Sequence, residues 1–199
     1  MRIVGILLAA GLSVRFGGAK LLAPLPAESH GVAAGTPLGV AACRHLVAAV
    51  TSVVAVVRPR DPVLARQLRG AGARVVECQR ASEGMGASLA CGVAAAPEAE
   101  GWVVALADMP WLAPATIVSV ADALVTGADL AAPIIAGRRA HPVGFSRRHF
   151  AALVALTGDS GAKTLVASNR KSMRLLATDD EGARRDVDTV LDLSQLTMV

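Results

Sequence analysis

Apolar residues along the chain fall into two alternating kinds of segment. Ile3–Leu8, Ser52–Val57, Arg74–Val76, Trp102–Leu106 and Leu130–Ile135 are short runs rich in β-branched side chains. Between them, Leu38–Val50, Pro62–Ala71, Ala87–Ala96 and Pro114–Val125 carry apolar residues at helical spacing. Short unbroken runs predict strands buried on both faces, and their alternation with helices predicts an α/β domain with a largely parallel sheet. Pro62 and Pro114 fit a first helical turn, and Ser88 fits a cap for the third helix.

After Ile135 the alternation loosens. Gly137-Arg138-Arg139 reads as a turn joining two extended pieces, Ser146–Leu156 returns to helix, and Met173–Leu176 is a further strand candidate before a polar segment and the closing Asp186–Leu193. Pro24–Gly35, rich in Pro, Ala and Gly, is expected to be an exposed flexible loop. No internal repeat is evident, and 199 residues fit one domain spanning 1–199.

The chain is 53% hydrophobic, yet no stretch approaches the roughly 18 uncharged apolar residues of a membrane span. Ile3–Ala10 has the length of a signal-peptide core, but Arg15 and Lys20 follow where small residues would mark cleavage, so a cytoplasmic location is expected. Cys43, Cys78 and Cys91 are odd in number and widely spaced, supporting neither a disulfide framework nor a zinc site; all three read as buried small residues. A net charge of +4 and a pI near 9.5 suit an anionic partner. With 3% aromatic residues and no Tyr there are few platforms for stacking nucleic-acid bases, and the mild excess of positive charge fits a solvated basic surface at least as well as a phosphate-binding one.

Candidate chemistry begins where the first strand ends. In LLAAGLSVRFGGAK the glycines Gly11, Gly17 and Gly18 let backbone N–H groups converge on an anion, and Arg15 and Lys20 add two cations to the same loop. That combination suits a polyphosphate, whose charge grows at the leaving group as a phosphoryl bond breaks. The loop matches neither G-x-x-x-x-G-K-[ST] nor G-x-G-x-x-G, and glycines at a strand end also simply turn the chain. Asp108 strengthens the first role: it stands at the carboxyl end of the fourth strand, where the first loop also points in an open α/β sheet. A hard carboxylate there suits Mg²⁺ bridging protein and phosphate; capping of the next helix is the other role, weakened by Pro114 placing that helix several residues on. Asp186 and Asp188 fall on one side of an extended piece and are a second carboxylate source, or a polar turn before a short helix.

Leu8–Gly17 with Lys20-Leu21-Leu22, then Gly84-Met85-Gly86-x-Ser88, Asp108-Met109-Pro110, His141-Pro142-Val143, Gly158-Asp159-Ser160-Gly161-Ala162-Lys163 and Asp186-Val187-Asp188-Thr189 resemble, in order, the motifs of the molybdenum cofactor cytidylyltransferases, a branch of the nucleotidyltransferase family. The resemblance spans nearly the whole chain. It implies a Rossmann-like three-layer nucleotidyltransferase fold, mostly parallel with an antiparallel strand, and Mg²⁺-dependent transfer of CMP from CTP to the terminal phosphate of molybdopterin with release of pyrophosphate. No covalent enzyme intermediate is implied, in keeping with a Ser13 that has no His partner in its loop. Carried over by position, Ala9, Ala10, Gly11, Leu12 and Ser13 line the base and ribose, backbone amides and Arg15 hold the triphosphate, and Lys20 stabilises charge near the α-phosphate. Asp108 and Asp188 hold Mg²⁺, Gly84 to Ser88 approach the nucleotide, and His141 and Asp159 face the acceptor. The receiving partner implied is a molybdenum hydroxylase of the xanthine dehydrogenase type, with no nucleic acid or membrane involved. Ala10 resembles the cytidylyl branch, whose guanylyl relatives tend to have a second glycine there. A guanylyltransferase, and a carrier that grips the cofactor without chemistry, are the competing readings.

Three departures bear on the resemblance. Pro24–Gly35 is longer than the usual connection, Ala140 stands where a Gly usually precedes His-Pro-Val, and Lys163 replaces a usual Arg. His45 reads as a packed helix residue, His30 as part of the flexible loop and His149 as a solvated helix start. Asp159 also fits a helix cap, and Trp102 and Trp111 read as core and rim packing around Asp108.

Overall fold

The apolar runs become the strands of one eight-stranded sheet. A computed structural model describes residues 1–194; residues 195–199 of the expected 1–199 domain lie outside the described residues. The strands are β1 (Ile3–Leu8), β2 (Ser52–Val57), β3 (Arg74–Glu77), β4 (Gly101–Leu106), β5 (Leu130–Ile135), β6 (Arg138–Arg139), β7 (Val143–Ser146) and β8 (Arg174–Ala177). The helices are α1 (Leu38–Ala49), α2 (Pro62–Gly70), α3 (Met85–Ala94), α4 (Pro114–Val125), α5 (Phe150–Val154), α6 (Lys163–Ser168) and α7 (Val190–Ser194). The strand order is β3-β2-β1-β4-β7-β5-β6, with β8 also on β5. All pairings are parallel except those of β7 with β4 and β5 and of β6 with β5, which is the mostly parallel Rossmann-like nucleotidyltransferase arrangement the resemblance implied.

Both faces of the sheet's inner strands are covered, which is why β1, β4 and β5 have no polar side chain while β3, β6 and β8 carry exposed charges. Ile3, Leu7, Val53, Ala55, Val103 and Ala105 pack on one side with α1, α2 and α4. Their neighbours Val4, Ile6, Val54, Val56, Trp102 and Val104 pack on the other with α3, α5 and α6. Each such Val, Leu or Ile contributes roughly 1.5–3 kcal/mol of burial. Trp102 is fully buried, stacks on Phe150 at 5.6 Å and donates its indole N–H to Ala96 O, the core role expected of it.

Several expectations are corrected. The Pro24–Gly35 segment is folded: Leu25 and Val32 are buried in a small core with Leu38, Ala41 and Val187, and bridges join Pro24 to Pro37 and Ser29 to Val32. Its buried Ser29 hydroxyl donates to Pro110 O at 2.9 Å, and His30 Nε2 lies 3.1 Å from Trp111 O. His45, packed as expected, reaches back from α1 to Ser29 O at 3.0 Å. Its Pro, Ala and Gly content suggested an exposed flexible loop; contacts to Pro37, His45, Pro110 and Trp111 and the burial of Leu25 and Val32 tie it to the fold instead. Helix α3 starts at Met85, two positions earlier than expected, so Ser88 lies inside it and its hydroxyl donates to Gly84 O instead of capping. Ser146 ends β7, and only Phe150–Val154 of the expected Ser146–Leu156 helix is α-helical, after a 3₁₀ turn at Arg147–His149. Helix α6, short and polar, was not anticipated.

Cys78, just past β3, and Cys91, on α3, form a disulfide with Cα atoms 5.9 Å apart, correcting the reading of three unpaired thiols; only Cys43 remains free and buried. Spacing did not reveal the pair because it is made by the return of α3 against the β3 end. Among the described residues no helix is long and apolar enough to cross a membrane.

Candidate active site

β1 lies between β2 and β4, reached through α1 on one face of the sheet and α3 on the other, and a crevice opens beyond the carboxyl ends of β1 and β4. Parallel pairing brings Leu8 level with Leu106, so the loops that follow emerge side by side. A cleft of about 350 Å³ occupies this position.

Four charged side chains from three parts of the chain form one cluster, of which Lys20 and Asp108 line the cleft. Lys20 Nζ lies 2.7 Å from Asp108 Oδ2 and 3.8 Å from Asp188 Oδ1. Arg15 places a guanidinium nitrogen 2.6 Å from Asp188 Oδ2. Lys20 is 8% exposed, so its charge depends on these carboxylates, whereas the Arg15 side chain is 76% exposed and its pair is worth little in water. The expectation that the N-terminal cationic turn meets both acids is realised in the structure.

Asp188 owes its position to contacts that the sequence reading did not pick out. Val187 is buried and its N–H donates to Asp108 O at 2.9 Å, tying the C-terminal segment to the β4 loop and leaving Asp186 and Asp188 on either side. The Asp192 carboxylate accepts from the N–H groups of Asp188 and Thr189 at 2.8 and 2.6 Å and from the Thr189 hydroxyl, and those N–H groups hold its pKa below the usual range. The Thr189-x-x-Asp192 spacing is a variant of the helix capping box and was the available signal. Further back, Asp180 accepts from Ala113 N and the Thr116 hydroxyl at the start of α4, fixing the other end of this segment.

The cleft walls contain most of the expected nucleotide residues. Ala10, Gly11, Leu12 and Ser13 line one side, and the N–H groups of Gly11, Leu12 and Ser13 make no backbone hydrogen bond among the described residues. Ser13 holds a left-handed conformation at φ 53°, rare for a non-glycine residue. Ala9 does not line the cleft: it is buried and its N–H donates to Val56 O. Gly84, Ser88 and Asp159 form the facing wall. There the Gly158 loop docks on the start of α3, with Gly86 N donating to Gly158 O at 2.8 Å and Asp159 Oδ1 3.5 Å from Met85 N. A Cβ on Gly84 would lie 2.6 Å from Asp159 Cα, and one on Gly86 2.5 Å from Thr157 O, so both glycines are required by close backbone approach. Asp159 therefore belongs to the wall shared with Gly84 and caps α3 from a distance.

His141 stands apart from this wall, beyond Asp108. Burial, with the nearby Arg139 cation, lowers its pKa to about 4, and Asp108 opposes the shift. Its backbone N–H donates to Ala183 O and its Nδ1 is buried without a hydrogen-bond partner. Asp186 lies within electrostatic reach of the same cluster; burial, then the charges of Asp108 and Asp188, push its pKa up.

Asp108 and Asp188 fit a divalent cation: two hard oxygens from separate elements already converge on one positive charge, the Lys20 ammonium. Among the described residues no three of His, Cys, Asp and Glu gather as ligands, so such an ion would take its remaining oxygens from phosphate and water, as Mg²⁺ commonly does.

Residues 5–173 match the family described as MobA-like NTP transferase domain. The chain is 33% identical over 193 residues to purine catabolism protein PucB of Bacillus subtilis, covering 94% of this chain and 92% of that one. It is 29% identical to nicotine blue oxidoreductase of Paenarthrobacter nicotinovorans over 98% of this chain and 96% of that one. The structure is similar to Rv0371c of Mycobacterium tuberculosis at TM-score 0.79 and 31% identity, over 98% and 96% of the two chains, and to that protein's complex with manganese at TM-score 0.77. The family match takes in β1 to β7 and the loops that carry Lys20 and Asp108, well over half of the chain, and the chain belongs to the MobA-like NTP transferase family.

Proposed function

We propose that the chain is a molybdenum cofactor cytidylyltransferase, joining CMP from CTP to the terminal phosphate of molybdopterin. The observation that carries this reading is the convergence of Arg15 and Asp188 on Lys20 and Asp108, which line a cleft where the Gly11, Leu12 and Ser13 N–H groups make no backbone hydrogen bond among the described residues. Nucleoside and triphosphate fit along the Ala10–Ser13 wall, with Gly84 and Ser88 opposite. An oxygen of the acceptor phosphate attacks the α-phosphorus in line, a new P–O bond forms, and the bond from the α-phosphorus to the bridging oxygen breaks, releasing pyrophosphate. Lys20 is placed to neutralise charge at the α-phosphate, and Arg15 with the Gly11–Ser13 N–H groups at the leaving pyrophosphate. Asp108 and Asp188 would hold Mg²⁺, which would supply charge neutralisation at the triphosphate.

An already ionised phosphate needs no general base, in keeping with a cluster that pairs cations with carboxylates and offers no nucleophile beside a base. On the far side of Asp108, His141 and the exposed Arg139 supply the acceptor's surroundings, the guanidinium matching a phosphomonoester. CTP is favoured by Ala10, which is 7% exposed and lines the cleft with its methyl group where a glycine would leave more room. The product would pass to a molybdenum hydroxylase of the xanthine dehydrogenase type.

Purified protein with Mg²⁺, CTP and molybdopterin should release pyrophosphate and yield the cytosine dinucleotide. A preference for GTP would overturn the donor, and tight cofactor binding with no pyrophosphate from either nucleotide would leave a carrier in its place.

A further inference from the structure

The carboxylate oxygens suited to a divalent cation are the same ones that Lys20 and Arg15 hold: Asp108 Oδ2 accepts from Lys20, and the two oxygens of Asp188 are divided between Lys20 and Arg15. Each of the two cations is also suited to a phosphate, and neither can serve both partners in one geometry. Lys20 is nearly buried, so stripping it of carboxylates without giving it another anion would leave an uncompensated charge beside a dication. A triphosphate arriving without the metal would meet Asp108 and Asp188, with the Asp186 carboxylate in electrostatic reach of both.

We propose that Arg15 and Lys20 exchange partners during substrate loading, releasing Asp188 and Asp108 to the metal as they take up the triphosphate, so that metal and nucleotide bind with mutual enhancement and Arg15 acts as a competitor of free metal at Asp188. This rests on the reading that a metal and a nucleotide meet at this site, and adds that neither alone finds its ligands free. Arg15 is the exchangeable member. It is exposed, it sits on a 3₁₀ turn (Val14–Phe16) that contains no buried residue, and its pair spans 173 positions of sequence with no second hydrogen bond from the guanidinium among the described residues. Reciprocity follows from linkage: whatever factor nucleotide adds to metal affinity, metal adds to nucleotide affinity.

The test uses Mn²⁺ and the full chain, with bound Mn²⁺ read from loss of the free-ion electron paramagnetic resonance signal in the absence of nucleotide. Arg15→Ala should bind Mn²⁺ about ten-fold more tightly than wild type, a coupling of ordinary size. Arg58→Ala is the control: Arg58 lines the adjoining loop cavity and pairs with Asp61 at 3.8 Å, so its removal changes local charge without freeing a ligand oxygen and should leave Mn²⁺ affinity within about two-fold of wild type. The reciprocal arm measures CTP binding in EDTA, where Asp188→Asn should bind more tightly than wild type because Arg15 is released. Equal or weaker Mn²⁺ binding by Arg15→Ala, or an equal gain in Arg58→Ala, would overturn partner exchange. Failure of the wild type to bind CTP while binding GTP would instead overturn the donor assignment, and the same comparison would then be run with GTP.

Discussion

Lys20 and Asp108 are 88 positions apart in sequence and 2.7 Å apart in space, and each completes the other. Lys20 emerges from the loop after β1 and Asp108 from the loop after β4, and the parallel register of those strands sets their separation. Lys20→Met should lower kcat by about 10²–10³-fold, the usual effect of removing one donor aimed at developing charge. It should also lower Tm, since Asp108 loses its closest cation. Steady-state kinetics with thermal unfolding checks both, and near-wild-type kcat would remove Lys20 from the chemistry.

Asp192 acts through Asp188. Asp192→Ala removes an acceptor from two backbone N–H groups and should cost about 1 kcal/mol of stability, as loss of a helix cap does. The sharper sign is kinetic: the metal concentration for half-maximal rate should rise several-fold while kcat at saturating metal falls little. Asp192→Asn, which keeps an acceptor oxygen, should restore most of the metal dependence.

Gly86→Ala forces a Cβ against Thr157 O, where backbone faces backbone and neither yields cheaply. A cost of about 1–3 kcal/mol is expected from such overpacking. The displaced Gly158 loop should raise KM for the nucleotide with little effect on the acceptor. Denaturant unfolding and a KM comparison separate this from a general loss of fold.

Ala10→Gly should narrow discrimination between CTP and GTP by about ten-fold, the scale on which one methyl group changes selection in a close-fitting pocket. Nucleotide-induced shifts in Tm read this directly. Unchanged selectivity would place base recognition elsewhere in the cleft.

His141 links stability to pH. Its proton affinity in the folded state is depressed, from 6.5 to about 4, so below pH 6.5 the unfolded chain binds a proton that the folded chain refuses. The neutral imidazole's contribution is therefore present above 6.5, is lost as pH falls toward 4, and amounts to about 3 kcal/mol. His141→Gln should lose less stability than wild type between pH 7 and pH 4.5 in parallel thermal unfolding curves.

Much of this site was legible before folding because its principal side chains directly follow buried strands. Asp108 stands two residues past Leu106, and Lys20 lies in the first loop after β1, so strand order alone brings them to one edge. Asp188 was legible through alternation around Val187. What remained hidden depends on contacts between distant segments. Nothing local distinguishes Asp180, which secures the start of α4 from 64 positions away, from any acidic loop residue. Pro24–Gly35 carries the composition of a mobile loop, and only the carbonyl groups of Pro110 and Trp111, brought close by the fold, give Ser29 and His30 their partners. The pairing of Cys78 with Cys91 and the placing of Arg139 beside His141 are hidden for the same reason.

The ion pair between Arg15 and Asp188 and the hydrogen bond from Val187 to Asp108 have a consequence for biogenesis. Ribosomal synthesis delivers the glycine loop long before the Asp188 segment, so a nascent polypeptide carries Arg15 and Lys20 well before Asp188 emerges. The sheet's first strands are able to gather earlier, but the four-residue charge cluster stays incomplete until that later segment docks beside β4. Completion of the cluster thereby reports that the chain has been made at least as far as Asp188.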